Sequence, residues 1–592
     1  MKNSHFLYVL FASLCLSLKM SAQTTVTYFG QTFIIDTLYP ATGTTGMNSP
    51  WEVVYGPDDS LWVTASHDYK IYKINPSDKG SRLLLDLNSD KDFTSATANP
   101  WPQGGLMGLA IHPDFYSGKP WVYIAYVYHL IGCSTCSGST SGAHCSYKTK
   151  ISRYSYSTVT GALTYMDDVI KGLDGSNDHN SGRIRISPVP ESDGEYHLYY
   201  SIGDMGAGQL ANVCRPEFAQ DTTVIEGKTL RLNTEPDLSQ PSGFEWIPTD
   251  NPFPSTPGAS TRSAIYTFGH RNPQGLAFGS VNGGASYLLY SCEHGDRSDD
   301  EVNILTAGRN YGWPKISGLC DDNYTSSSGD SLYLAGQAVV SESGFCDTSK
   351  TVVIEPIFSY YNWTRAQNRN IATNFPSSNM NWPTVAPSSL AFYPSTGAIA
   401  GWQNSLLITS LKNGLWRLKL KSDGLSADST TNPYDTLHYL AGYRLRNVTL
   451  SPSGDTLFLA VDNSCCTLGP TGTIGNSVAS PAKGYILRMT YITTLSLGDT
   501  VARAKGSSVA DVAAVRVYPN PAHGVLNISM PGGSRKPWTA QLFSMTGQMV
   551  EATTGYDDPF VMNIGGIAAG VYVLRLYDGS GGMVATKKVL VE

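Results

Sequence analysis

Charge is scarce in this chain: Lys, Arg, Asp and Glu make up 15% of 592 residues, and acids outnumber bases 48 to 41. A formal net charge of −7 argues against a general nucleic-acid binder, which needs a basic face. Any anion site must therefore be a local cluster of cations. Long apolar runs are missing too: Phe6–Leu18 is too short to span a bilayer as a permanent helix, and no later run is longer. A transmembrane segment is not expected. What the chain has in quantity is Gly, 58 residues, and aromatics, 11%. Tight turns take Gly and strands take aromatics, so the expected class is all-β.

The N-terminus explains its own short apolar run. Lys2 precedes it, and Met20-Ser21-Ala22 before Gln23 is a small-residue cleavage site, so residues 1–22 read as an export signal. Ten cysteines are present and Cys15 leaves with that signal, so nine remain. Cys133, Cys136 and Cys145 share one Ser/Gly-rich loop, which fits a disulfide in an oxidising compartment better than a metal knuckle. Cys320 with Cys346, and Cys465 beside Cys466, are further candidate pairs. An odd count leaves a free thiol, for which Cys292 inside a strand is the candidate.

One phrase recurs along most of the chain: an apolar strand ending in a turn, a second apolar strand, then a strand with a basic-apolar pattern. Its copies begin at Trp51, Gly108, Gly182, Gly275, Ser389 and Asn447. Strands that cannot bury their faces alone close into a propeller, so 23–492 reads as a six-bladed β-propeller. Residues 493–514 are small and polar, a linker. Residues 515–592 return to short alternating strands separated by turns, which reads as a small β-sandwich.

In a blade, the loop entering the first strand and the loop leaving the second open on one face. Gln103, Asp178, His179, His270, Arg271, Asn272, Trp382, Thr384, Arg444 and Arg446 enter first strands; Asp204, Gln209, His294, Gly295, Asp296 and Lys412 leave second strands. Polar residues of chemical interest thus converge at one mouth. Arg271, Lys412, Arg444 and Arg446 suit a small ligand with several carboxylates, where structural ion pairs would be the plain explanation for any one of them. His179 is a candidate general base, with Asp204 to orient its ring. Gly295-Asp296 lies in a turn that offers carbonyls to a hard cation. The run Asp299, Asp300, Glu301 fits equally a structural calcium or a solvated face.

These residues, with Gly105-Leu-Met-Gly-Leu-Ala-Ile-His-Pro, Asp178-His-Asn-Ser-Gly-Arg, Gly269-His-Arg-Asn-Pro-Gln-Gly and Asn310-Tyr-Gly-Trp-Pro, make 51–490 resemble the soluble quinoprotein (PQQ-dependent) glucose dehydrogenases. The resemblance implies PQQ and Ca²⁺ as cofactors and oxidation of an aldose at C1 to its lactone. His179, Asp204 and Arg271 would be catalytic, and Gln103, Asp178 and Gln209 would hold the sugar. Asn272, Trp382, Thr384, Lys412, Arg444 and Arg446 would hold PQQ. One calcium would take Gly295 and Asp296, and a second Glu301, Asp321 and carbonyls of Tyr311, Ser317 and Leu319. Asp296 stands where the family has Pro, adding a negative charge, and Asn379 where the glucose enzymes carry Tyr, which bears on sugar preference.

Residues 515–592 resemble the sorting domains of the type IX secretion system through Val515-Arg-Val-Tyr-Pro-Asn-Pro and Gly570-Val-Tyr-Val-Leu-Arg-Leu. The expected partners are therefore an aldose, an unidentified electron acceptor and that secretion machinery, with a homodimer left open and a secreted or surface location. The rival reading is a propeller that binds sugar or protein without redox chemistry; a lactonase-like hydrolase would instead want acidic side chains at a central metal.

Overall fold

The computed structural model describes residues 23–41, 45–137, 139, 142–284, 286–324, 341–348, 353–367, 382–428, 436–463, 466–467, 478–492, 515–529, 538–544, 549–555, 559–577 and 583–592. The export signal, the linker, Cys465 and Asn379 lie outside them. Two compact units divide the chain, Met1–Ile492 and Thr493–Glu592.

The first unit is built from antiparallel sheets that follow one another along the chain. They start with the strands Pro50–Tyr55, Leu106–Ile111, Ile184–Ile186, Pro273–Val281, Pro387–Tyr393 and Leu445–Leu450. Each sheet then adds its next strands in order. The starting strands pack on one another in sequence, and Leu445–Leu450 packs back on Pro50–Tyr55, so the set closes on itself. Strands such as Ser405–Ser410 are buried at every position. That is what a sheet covered on both faces by neighbouring sheets requires, and it explains apolar runs in place of alternation.

Every pair of neighbouring sheets has its own core. Trp62 and Ile71 pack with Leu109 and Ile124, Tyr123 with Leu198 and Leu230, and Tyr199 with Leu276 and Leu289. Tyr290 meets Leu390 and Ile408, Leu407 meets Val448 and Leu459, and Phe458 meets Val53 and Val63.

One strand was not legible as part of this scheme. Gln31–Tyr39 pairs with Ile486–Ile492, so the last sheet holds chain from both ends of the unit. At the centre, the fully buried Arg183 pairs with Glu52 and donates to the carbonyls of Gln274 at 2.9 Å and Ser388 at 2.8 Å. Asn447 adds a bond to Glu52 at 2.9 Å. Five of the six starting strands, or the turns that enter them, are thereby tied to one polar hub. A buried guanidinium is tolerated only with that many acceptors.

The second unit has a three-stranded sheet, Arg516–Tyr518, Val525–Ser529 and Phe560–Asn563, and a four-stranded one, Trp538–Ser544, Met549–Gly555, Gly570–Tyr577 and Met583–Val591. Leu526, Ile528 and Met562 from one and Leu542, Leu574 and Val589 from the other share a core.

Disulfides join Cys133 to Cys145, Cys136 to Cys214 and Cys320 to Cys346, while Cys292 is free and buried. The partner of Cys136 therefore comes from outside its own loop. Burial pushes the Cys292 thiol far up, which makes it inert.

Candidate active site

The loops at one end of the sheets bring the catalytic candidates together. His179 lies on the loop entering Ile184–Ile186 and Asp204 on the loop leaving the adjacent strand His197–Ile202, and His179 Nδ1 donates to Asp204 Oδ1 at 2.6 Å. Asp204 is fully buried. Its Oδ1 also accepts Gly206 N at 2.8 Å, and its Oδ2 accepts Trp313 Nε1 at 2.8 Å. A carboxylate so placed fixes the proton of His179 on Nδ1 and leaves the Nε2 lone pair free to accept one. The backbone of His179 is left-handed, φ 53°, a strained geometry common where function fixes a side chain. Gly203 lets the loops touch: a Cβ there would lie 2.1 Å from the His179 carbonyl oxygen and 2.9 Å from that of Arg271.

Gln103 and Asp178 meet beside this pair. Gln103 Nε2 donates to Asp178 Oδ1 at 3.4 Å, and Gln103 Oε1 accepts Asn180 N at 2.9 Å. Gln209 accepts a bond from Arg271 NH2, and Asp296 lies 3.7 Å from the same guanidinium. The Arg271 guanidinium stands 5.3 Å from the Trp313 ring centroid. Two donors here, Arg271 Nε and Gln209 Nε2, are buried without a hydrogen-bond partner among the described residues. Unpaired buried donors are costly, and these fit an acceptor-rich ligand. His294, which donates to Pro387 O at 3.0 Å, is held neutral, its pKa well below the usual value through burial and the charges of Arg271, His179 and Arg446. The two halves of the constellation therefore face one centre.

The cations divide into two kinds. Lys412 is buried, and its ammonium donates to Trp382 O at 2.9 Å. Burial lowers its pKa to about 8, with the Asp300 charge opposing. It is a desolvated cation with no carboxylate in an ion pair among the described residues, as an anion site requires. Arg444 and Arg446, by contrast, both close on Asp462. The structural pairing that four cations on one face argued against is thus present for these two, and Arg271 too has a carboxylate, Asp296, at 3.7 Å. Two guanidiniums on one carboxylate still leave one positive charge. Arg446 also donates to Gln274 Oε1 at 2.9 Å and lies 4.4 Å from the Trp51 ring centroid. Asn272 accepts Ser181 Oγ at 3.0 Å, and Thr384 is buried beside Trp382.

The acidic run is not a solvated face: Asp299, Asp300 and Glu301 are all buried. Asp300 organises the central turn by accepting Gly295 N at 2.9 Å and Ala386 N at 2.8 Å. Burial raises Asp299 to about 7 and pushes Glu301 well up, with Asp321 and Glu293 respectively adding repulsion. Glu342, which nothing in the sequence marked, accepts Ser317 N at 3.3 Å and Tyr324 N at 2.9 Å and is raised to about 8 by burial, with Asp321 and Asp299 adding. A crowd of buried acids around Ser317 suits a hard divalent cation. Asp321 itself is exposed, Leu319 half-buried, and Tyr311 spends its hydroxyl on Ile304 O at 2.6 Å.

Four residues with clear work at this end of the sheets were not singled out from sequence. Trp313 holds Asp204; Glu293 accepts Arg271 N at 3.0 Å and bonds His270 at 2.9 Å; Asp462 pairs the arginines; Arg297 stands 4.8 Å from the Trp382 ring centroid. Only Trp313 lay in one of the motifs that carry the resemblance.

Residues 47–335 match the model of the glucose / sorbosone dehydrogenase family, and residues 516–592 that of a secretion system C-terminal sorting domain. Quinoprotein glucose dehydrogenase B of Acinetobacter calcoaceticus is 33% identical over 476 residues, 75% of this chain and 89% of the relative. Aldose sugar dehydrogenase YliI of Escherichia coli (strain K12) is 33% identical over 214 residues, 36% of this chain and 46% of the relative. A solved PQQ-bound aldose sugar dehydrogenase from Streptomyces coelicolor aligns at 24% identity and TM-score 0.45, covering 77% of this chain and 98% of that one. The chain belongs to the glucose / sorbosone dehydrogenase family, with quinoprotein glucose dehydrogenases as its relatives, and ends in a type IX secretion sorting domain.

Proposed function

We propose that the first unit is a six-bladed β-propeller that oxidises an aldose at C1 to its lactone with PQQ and calcium. We further propose that 23–492 is the catalytic domain, and that 515–592 is a β-sandwich that takes the protein through the type IX machinery to the surface or the medium. The observation that carries the enzymatic reading is the His179–Asp204–Trp313 chain set beside Arg271. A binding module has no use for a buried base whose orienting carboxylate is itself held on both oxygens.

Bound PQQ would supply the two-electron acceptor for the hydride that leaves sugar C1. His179 Nε2 takes the C1 hydroxyl proton, and Asp204 stabilises the imidazolium that results. Gln103, Asp178 and Gln209 hold the sugar hydroxyls. Arg271, whose Nε is buried without a partner among the described residues, stabilises negative charge as it develops, an effect of roughly 3–4 kcal/mol where such donors have been removed. Asn272, Trp382, Thr384, Lys412, Arg444 and Arg446 hold PQQ, with Lys412 the cation free to neutralise a carboxylate. Carbonyls of Gly295 and Asp296 hold one calcium. Glu301, Asp321 and carbonyls of Tyr311, Ser317 and Leu319 hold a second.

The test is reconstitution. Apo-protein given PQQ and calcium is expected to oxidise some aldose with a dye acceptor and without NAD. Confirmed PQQ binding with no turnover on a broad aldose panel would overturn the reading.

A further inference from the structure

The strands Trp121–Ser134 and His144–Tyr156 form a hairpin that, with Leu163–Ser176 beside it, runs well past the six-residue starting strand Leu106–Ile111. Its far end is exposed along Ile131–Thr135. Three contacts leave that end, and each goes to a different loop. Tyr147 Oη donates to Pro100 O at 2.6 Å, three residues before Gln103. Cys145 N donates to Asn177 Oδ1 at 3.0 Å, next to Asp178. Cys136 is disulfide-bonded to Cys214, five residues after Gln209. All three loops carry one of the residues assigned to the sugar.

The Cys214 tether is stiff. The turn between it and Gln209 is closed by backbone bonds from Asn212 N to Gln209 O at 2.7 Å and from Arg215 N to Asn212 O at 2.9 Å. Gln209 in turn accepts Arg271 NH2. The disulfide therefore bears on Gln209 through a compact turn, while Arg271 is held independently by Glu293, which accepts its backbone N at 3.0 Å. The PQQ-side cations are anchored elsewhere: the ammonium of Lys412 on Trp382 O, and Arg444 with Arg446 on Asp462.

We propose that the Cys136–Cys214 disulfide is a positioning device for the sugar subsite: it holds the Gln209 loop against the hairpin so that Gln103, Asp178 and Gln209 keep one geometry. This rests on the sugar-binding roles proposed above. Cys136 is buried but Cys214 is exposed, so a phosphine reaches the bond at Cys214: phosphorus attacks that sulfur, the S–S bond breaks, and water supplies the oxygen of the phosphine oxide and the protons of the two thiols, releasing the loop without unfolding the sheets. Opening it costs sugar binding and spares PQQ binding.

The double variant Cys136→Ser/Cys214→Ser, as full-length PQQ-loaded protein, tests this. Misplacing such loops by about an ångström is expected to raise KM for the aldose by about tenfold or more, with kcat and PQQ affinity within about threefold. If the variant does not accumulate, the native protein is reduced with a phosphine, desalted and alkylated, with the opened bond mapped by mass. Hydrogen exchange is read alongside, and 203–215 should exchange faster. An unchanged KM, or KM and PQQ affinity weakening in step, would overturn the device. If the wild type oxidises no aldose, the functional reading fails separately, and exchange alone decides: unaltered protection of 203–215 overturns the device, and faster exchange supports it.

Discussion

Arg446 meets Asp462 with two donors on one oxygen: Nε at 2.9 Å and NH2 at 2.6 Å both reach Oδ2, while Arg444 Nε takes Oδ1 at 2.8 Å. Arg446 is therefore a structural residue as well as a candidate PQQ ligand. Replacing it with Met leaves a buried carboxylate with fewer donors, at a cost of about 1–3 kcal/mol. The melting temperature of the apo-protein should fall, and PQQ affinity should fall with it. An unchanged apo melt would show that the pair contributes nothing to folding.

Lys412→Met should behave in the opposite way. A buried ammonium held by a carbonyl is poorly compensated, so the apo-protein should be as stable as the parent or more so. PQQ affinity should drop roughly 10- to 150-fold, the worth of one charge-assisted bond of about 1.5–3 kcal/mol. Calorimetric titration with PQQ and a melt without it separate the two effects.

The same residue gives a pH dependence. With its pKa lowered to about 8 from the ordinary 10.5 of the unfolded chain, the unfolded state binds more protons between about pH 8 and 10.5. Lys412 thus opposes folding of the apo-protein below about 8 and ceases to do so as pH rises through that window. PQQ binding runs the other way: it needs the cation, so affinity should fall above about pH 8 and binding there should take up a proton. Titration in buffers of different ionisation enthalpy measures that proton directly, and Lys412→Met should abolish it.

His179→Ala should leave PQQ affinity nearly intact and lower turnover by about 10²–10⁴, the usual worth of a general base. Trp313→Phe keeps an aromatic ring, though a smaller one, but removes the donor to Asp204, and should lower kcat with little change in KM. Steady-state kinetics on both variants suffice; undiminished turnover in His179→Ala would place the base elsewhere.

A chain ending at residue 492 should fold and, with PQQ and calcium, oxidise sugar as the full-length protein does, because each unit has its own core and no residue named at the site lies beyond Asp462. Export to the surface should be lost. Poor folding or loss of activity on truncation would show that the second unit supports the first.

The placement of the site was legible because repetition fixes direction. Once first and second strands are known, the end that carries His179, Asp204, Arg271 and Lys412 follows from the pleat and the antiparallel order. What sequence could not give were partners brought near only by closure. Asp462 lies at the exit of its own second strand, as Asp204 does, yet nothing in its neighbourhood marks it as the acid for two arginines. Trp313 arrives on a loop from another sheet. Cys214 is 78 residues from Cys136, and spacing says nothing about such a pair. The Gln31–Tyr39 strand shows no clean alternation, and its partner sits at the far end of the unit.

That last pairing has a kinetic side. Thr32 opposes Ile492 and Ile35 opposes Met489, so the ring is completed only by contacts between the first and last segments of the unit to leave the ribosome. Until then Gln31–Tyr39 is paired only with Thr24–Tyr28 and its other edge is open, the state in which strands associate wrongly. Non-local closure of this kind makes folding slow. Fast export while the chain is still open, with folding left to the far side of the membrane, would keep that edge from finding a stranger before it finds Ile486–Ile492.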